Sequence, residues 1–397
     1  MTLRLLYFFY YAGVGAFLSY FAAYLRGLGF SGGQIGAISM AQQLVAAAAA
    51  LAWGSVADRL GAPARVLKLC TGGALVATCA LPFVHTPVAV GAVLALAAAF
   101  SGAVVPLVDS VAVGRLGMRY ARTRLFGSLG YIVVAQALGL LLAARGDRAG
   151  DGTMPLVFVG CVLLYAAVAQ TLPGGPPAAL RNGALPAPAA PQDPARRPHW
   201  REAAALLGNA PLLVLLAVCA VHWAACAPYH LMFGVLVRDR GLSSSYTGLG
   251  FAIGVVGEVF ALLAFPALER RFSLRALLAA ASAGTVVRWL LLGRASSAAE
   301  LVGLQALHAL TFGIWWGCAV EAMARTVPGR LRATGQALFS AVVFGAGNAL
   351  GYGLAGLGYD RLGGAAQLFT LAAAVEVIPL LLVIVLARPL SLQPVRA

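Results

Sequence analysis

Twelve runs of about 20 predominantly apolar residues dominate this chain, and each is long enough to cross a hydrocarbon layer about 30 Å thick as a helix. They lie near 3–26, 32–57, 66–84, 88–112, 125–144, 154–172, 208–237, 245–267, 274–292, 299–324, 333–357 and 365–386. In lipid the backbone polar groups have no water to bond, so only helices and closed barrels are tolerated. The runs are near-continuous rather than alternating segments of about ten residues, which excludes a barrel. Charged residues make up only 10% of the 397, against about a quarter in soluble domains. So few charges do not coat a soluble body of this size. The expected fold is an all-α integral membrane protein with twelve transmembrane helices.

The formal net charge of +15 invites a nucleic-acid reading, but the placement of the charges argues against one. Threading the twelve spans through a bilayer puts roughly 20 of the 28 Lys and Arg on one side and about 7 on the other, as the positive-inside rule requires, with both termini cytoplasmic. The partners expected are a small-molecule solute, protons and the lipid bilayer, with no nucleic acid, and a monomer, since one chain supplies two halves. Cys70, Cys79, Cys161, Cys219, Cys226 and Cys318 all fall in apolar runs without metal-ligand spacing and read as small buried hydrophobes, so neither a metal nor a cofactor is expected. The first span begins almost at Met1, without the basic start and short core of a cleavable signal, and reads as retained. No nucleophile–base pair or phosphate-binding loop points to an enzyme, and no appended soluble domain points to a sensor.

Residues 173–205 break the pattern. The stretch is rich in Pro and Ala, carries Arg181, Arg196 and Arg197, and reads as a cytoplasmic linker. The expected organisation is a six-helix bundle over 1–172, the linker over 173–205, and a second six-helix bundle over 206–397. A weak internal repeat agrees with it. Gly29-Phe30-Ser31 opens the second span as Gly241-Leu242-Ser243 opens the eighth, and Asp58-Arg59 closes the second as Glu269-Arg270 closes the eighth. Two parallel six-helix halves are the major facilitator architecture, with a substrate site near the midplane between them.

Ionisable groups inside the spans are few, and each costs about 2.5–3.5 kcal/mol on insertion scales. Counting about 1.5 Å per residue places Glu258 near mid-bilayer, with Arg288 and His308 in the same or outer half of the second bundle. A carboxylate, a guanidinium and an imidazole at such depths form a candidate proton-coupling cluster. A static polar pin between helices is the other reading. In the first half, Arg124 and Tyr131 lie seven residues apart, two turns along one helix face, and make a candidate clamp for a polar or aromatic solute. Glu321, near Arg325 and Arg330, fits a salt bridge or cytoplasmic gate. His222, Tyr229 and His230 give the seventh span a polar stripe that suits cavity lining or helix–helix bonding equally. Glu376 has no evident partner.

The run Gly54-Ser-Val-Ala-Asp58-Arg59-Leu-Gly61-Ala-Pro-Ala-Arg65 resembles the loop signature of the major facilitator superfamily, with one extra residue before its basic end. The resemblance implies a conformational latch made by Gly54, Asp58, Arg59, Gly61 and Arg65, in which Asp58 docks on the positive end of a helix in the other half. Further motifs are Gly15-Ala16-Phe17, Pro106-Leu-Val-Asp109, Arg122-Thr-Arg124-Leu-Phe-Gly127-Ser128, Gly254-Val-Val-Gly-Glu258, Arg288-Trp289 and Leu307-His308-Ala-Leu-Thr311-Phe312-Gly313. Through them nearly the whole chain is similar to the proton-coupled sugar and nucleoside symporters, above all the phenylpropionate-permease-like branch, related to the lactose permease. This implies substrate contacts at Asp109, Arg124, Tyr131, His308 and Thr311, and proton coupling through Glu258, Arg288 and His308. Lactose-permease-type symporters carry a titratable Glu where this chain has Thr311. Either Glu258 carries the proton, or coupling differs, or the protein is a facilitator.

The function expected is secondary active transport, a proton-coupled symport of a small organic solute such as an aromatic acid by alternating access, in a multi-pass protein of a bacterial inner membrane. A sugar or nucleoside symporter, or an efflux transporter of the same fold, remains the alternative.

Overall fold

The computed structural model describes residues 1–116, 120–173, 206–328 and 331–386. Twelve helices long and apolar enough to span a membrane are present: α1 (Thr2–Gly27), α2 (Gly32–Leu60), α3 (Pro63–Phe83), α4 (Pro87–Leu116), α5 (Tyr120–Ala144), α6 (Thr153–Gln170), α7 (Ala210–Asp239), α8 (Ser244–Arg271), α9 (Leu274–Arg294), α10 (Ala298–Thr326), α11 (Thr334–Leu362) and α12 (Ala365–Val385). No strand occurs among the described residues. The expected linker, 173–205, lies outside the described residues apart from Pro173, as does Arg330.

The helices begin where the sequence supplies caps. Asn209 accepts from the Leu212 amide to start α7, Ser273 from Ala276 to start α9, and Ser297 with Glu300 forms a capping box at α10. Pro63 and Pro87 stand in the first turns of α3 and α4, where a missing N–H costs nothing. Within α4 the α-helical winding breaks at Gly102-Ala103. Pro106 lies four residues on and has no N–H to offer the Gly102 carbonyl.

The internal repeat proves to be a pair of matching turns. Gly29 and Gly241 adopt φ of 88° and 68°, and the amides of Phe30 and Leu242 reach back to the carbonyls of Leu25 and Val237, each at 3.1 Å. Only glycine takes that backbone without strain, and the six-to-one bond closes the helix. Ser31 and Ser243 then open α2 and α8, Ser31 in a reciprocal exchange with Gln34.

The described chain packs as two compact units. One comprises Met1–Phe21, Ala41–Leu138 and α6; its core is Leu6, Tyr7, Leu67, Cys70, Val104, Leu107 and Tyr165 with their neighbours. The other comprises Ala22–Met40, Gly139–Gly150 and α7–α12. The packing therefore differs from a division at the linker in two stretches. The reason is local: the start of α2 and the α5–α6 turn are held by residues of α11 and α8, as described below. Five of the six cysteines are buried as expected, and Cys79 at the end of α3 is exposed.

Candidate substrate and proton site

In the first unit, α1 presents Tyr7 and Tyr11 one turn apart. The Tyr7 hydroxyl donates to Asp109 Oδ1 on α4, and an Arg124 N–H on α5 donates to the Tyr11 hydroxyl. The guanidinium lies over the Tyr11 ring at 4.2 Å and the Tyr7 ring at 5.5 Å. No carboxylate approaches Arg124 within 4.0 Å among the described residues, so its charge is met by ring faces and one phenol. Gly127 and Gly130 make room. A side chain at Gly127 would meet the Tyr11 ring at 2.8 Å and Arg124 itself at 3.0 Å. Asp109 and Arg124 are both half-buried. Tyr131 is buried, with its backbone against Gly15, where an added Cβ would lie 2.7 Å from the Tyr131 carbonyl oxygen. The rings of Tyr7 and Tyr11 escaped the sequence reading. The signal was the Tyr7-Phe-Phe-Tyr-Tyr11 run, whose ends share one helix face.

In the second unit the sequence-predicted cluster is one connected group. Arg288 on α9 is 1% exposed and fully enclosed. Its N–H groups donate to Gln305 Oε1 at 2.6 Å, to Thr311 Oγ1 at 2.8 Å and to His308 Nδ1 at 3.0 Å. The Tyr229 ring lies 4.4 Å from its guanidinium carbon and the Trp289 ring 4.9 Å. His308 Nε2 stands 4.0 Å from Glu258 Oε2, and the Glu258 side chain is 26% exposed. Glu258 is thus the accessible end of a buried chain. Thr311, expected among the substrate contacts, is 2% exposed with its hydroxyl accepting from Arg288.

The winding of α10 builds this group. Leu304–Leu307 is a 3-10 turn and Ala309–Ile314 a π turn, with His308 at the change. With three residues per turn, positions i and i+3 eclipse, so Gln305 and His308 stack on one edge. Small residues on α8 let α10 approach: a Cβ at Gly250 would meet Gln305 Cγ at 3.2 Å, and one at Gly254 would meet His308 Cδ2 at 3.3 Å.

Glu376 finds the partner the sequence could not name. Its Oε1 lies 2.8 Å from His222 Nδ1, with both side chains fully buried between α7 and α12. The His222 ring stacks on Trp315 at 3.8 Å. Breaking such a pair strands the survivor in hydrocarbon. Glu376→Ala is expected to lower the midpoint of thermal unfolding in detergent, through a loss of about 3–5 kcal/mol. Glu321 and Glu269 both hold Arg325, Glu321 Oε1 at 2.8 Å from its Nε.

The loop residues Asp58, Arg59, Gly61 and Arg65 are exposed, and no hydrogen bond or ion pair reaches the Asp58 side chain among the described residues. The opposite ends of the helices carry carboxylate contacts that sequence reasoning missed. Asp360, near the end of α11, accepts from the amides of Gly32 at 2.8 Å and Gly33 at 2.7 Å, the first turn of α2. Asp147, after α5, accepts from the Ser244 amide at 3.1 Å, the first turn of α8. Asp147 is the one non-glycine residue at positive φ, 51°, among those described. By chain order these are equivalent places: an acid closing the fifth span of one half caps the second span of the other.

A family model described as the MFS_1 like family matches residues 1–371. The chain belongs to this family. It is a transporter of the major facilitator superfamily and a multi-pass membrane protein. The chain is 28% identical over 382 residues to a probable 3-phenylpropionic acid transporter of Escherichia coli (strain K12), covering 91% of each chain. It is 26% identical over 351 residues to a maltose permease of Geobacillus stearothermophilus, covering 87% of this chain and 83% of that one. Among solved structures, the nucleoside transporter NupG superposes with a TM-score of 0.83 at 16% identity over 98% of both chains. A D-xylose-proton symporter superposes with a TM-score of 0.71 at 14% identity over 99% and 98%. At those identities the structures show a shared fold.

Proposed function

We propose that this major facilitator protein is a proton-coupled symporter of a small aromatic carboxylate, working by alternating access. The observation that carries the substrate reading is Arg124: half-buried, with no carboxylate partner among the described residues, and bedded on two tyrosine rings. A carboxylate answers the guanidinium by a charge-assisted fork of hydrogen bonds, and an aromatic ring finds company in Tyr7 and Tyr11. Arg288, the other intramembrane cation, is enclosed and engaged by its own protein and has no face to offer a solute. The probable 3-phenylpropionic acid transporter supports this class of cargo. Glu258 carries the proton, because it is the most solvent-accessible titratable group of the second cluster. With both termini cytoplasmic, the Asp360 and Asp147 contacts form at the outer ends of the spans and release as that side opens.

Binding checks the cargo. Phenylpropionate-type acids are expected to raise the unfolding temperature of the detergent-solubilised protein, because a ligand of the native state stabilises it. Arg124→Gln is expected to weaken that binding about ten- to a hundredfold, the worth of one charged hydrogen bond of about 1.5–3 kcal/mol. A second reading, a neutral sugar, has Asp109 in its favour, since its carboxylate accepts from hydroxyls as it does from Tyr7. Hexoses and disaccharides stabilising the protein where the acids do not would replace the first reading by the second.

A further inference from the structure

From the bonds around Arg288 we infer that Gln305 is a positioning residue, which aims the guanidinium so that His308 is locked neutral with its proton on Nε2, leaving Glu258 as the sole proton carrier of the cluster. This deepens the proton-coupled reading and rests on it for its meaning in transport.

The argument starts from what an arginine lacks. A guanidinium has five N–H donors and no acceptor. The 3.0 Å contact between an Arg288 N–H and His308 Nδ1 therefore exists only with a lone pair on Nδ1. A neutral imidazole with Nδ1 accepting carries its hydrogen on Nε2. Protonating His308 would turn an N–H toward the Arg288 N–H groups inside a buried cage, replacing a hydrogen bond by the repulsion of two cations. The Nε2–H points toward Glu258 Oε2, 4.0 Å away, a gap that a small movement of the carboxylate closes.

The lock depends on where the guanidinium sits, and Gln305 sets that. Gln305 is fully buried, accepts from Arg288 at 2.6 Å through Oε1, and donates through Nε2 to the Leu301 carbonyl at 2.7 Å. The amide is thus fixed at both ends. The bond to Leu301 orients it, and its oxygen holds the far side of the guanidinium while Thr311 and His308 take the near side. The groups facing His308 are Glu258 from α8, Arg288 from α9, and Tyr229 and His230 from α7, with Gln305, Thr311 and the stacked Phe312 ring on α10 itself. Of these, Glu258 is the one acid. Thr311, in the position where lactose-permease-type symporters carry an acid, completes the arginine's cage.

The test reads the tautomer directly. The protein, labelled with ¹⁵N-histidine and held in lipid bilayers, is studied by solid-state magnetic resonance, and the His308 signals are assigned by their loss in His308→Gln. In the wild type, His308 is expected to show a bare Nδ1 and a protonated Nε2 from about pH 5 to pH 8, the range in which an ordinary histidine titrates. Gln305→Leu is expected to lose that single pattern, giving mixed tautomers or titration within the same range. Should Gln305→Leu fail to fold, Arg288→Lys serves: one ammonium does not span Gln305, Thr311 and His308 together, and the pattern is expected to break. A wild-type His308 that takes a second proton over this range, or carries its proton on Nδ1, overturns the inference. So does a Gln305→Leu protein with the wild-type pattern. Failure of the transport reading looks different: pH-driven uptake that ignores Glu258, with the His308 signals unchanged.

Discussion

Reconstituted in liposomes, the Glu258→Gln protein is expected to lose accumulation of its substrate against a gradient while still exchanging labelled for unlabelled substrate across the bilayer. Glutamine has the shape of the protonated acid but never ionises. A carrier frozen in the protonated form still reorients with cargo aboard. It never releases the proton, so the pH gradient does no work. One proton travelling with a monovalent anion is electroneutral, and each pH unit then supplies about 1.4 kcal/mol, or about tenfold accumulation. The wild type is expected to approach that ratio and the variant to stay at unity. Accumulation by Glu258→Gln at the wild-type level would remove Glu258 from the coupling step and with it the proposed mechanism. Loss of both accumulation and exchange would instead mark Glu258 as a binding group.

The physical basis is the contrast between the two carboxylates of the second unit that lie deep in the spans. Glu376 is fully buried and bonded to His222, so its charge state is tied to one partner. Glu258 keeps about a quarter of its side chain exposed and has His308 at 4.0 Å. A proton carrier must exchange with water and must also feel a change in its surroundings. The more exposed group, beside His308, meets both requirements. His308 supplies a fixed N–H to such a carboxylate, and Arg288 supplies positive charge one residue further in, reached through His308 rather than directly.

The sequence made the twelve spans legible because hydropathy alone marks a helix that must sit in oil. Its span errors are at the ends, and those of three residues or more have one cause. An apolar window stops where charged residues begin, although the helix continues into the interfacial layer. The expected fifth span opens at 125, but α5 begins at Tyr120, and the extra turn is the one carrying Arg122 and Arg124. The expected eleventh span closes at 357, but α11 runs to Leu362 through Tyr359, Asp360 and Arg361. The Asp360 contact lay in that unseen turn. The candidate residues were legible where cost made them conspicuous, as with Glu258, Arg288, His308 and Asp109. Their partners were not. Gln305 is an uncharged residue whose meaning depends on a local change of helical winding, and Glu376 meets a histidine 154 positions earlier in the chain. Neither relation leaves a trace in composition or spacing.

The largest effect expected from a change far from the charged clusters is at Gly36. At that end α2 and α11 touch backbone to backbone. A Cβ at Gly36 would lie 2.6 Å from the Tyr352 carbonyl oxygen and 2.9 Å from Gly356 Cα, and a Cβ at Gly32 would lie 2.6 Å from the Gly356 carbonyl oxygen. Backbone does not move aside as a flexible side chain does, so Gly36→Val holds the two helices apart at the place where Asp360 reaches the Gly32 and Gly33 amides. Under the alternating-access mechanism proposed above, this contact forms once in every cycle. Uptake by Gly36→Val is therefore expected to fall to background with the protein still folded. Spin labels at Ser31→Cys and Leu362→Cys are expected to report a longer separation than in the Gly36 parent. Asp360→Asn removes the charge but not the fit. The start of α2 carries exposed amides and partial positive charge, and losing an anion there costs about 0.3–2 kcal/mol. That cost translates into about a two- to thirtyfold shift toward the longer separation, with transport slowed rather than abolished. Asp360→Glu is expected to recover part of the shift. If the label separation in both Gly36→Val and Asp360→Asn matches the parent, the α2–α11 contact is a passive packing surface, and the step that closes this end of the protein lies elsewhere.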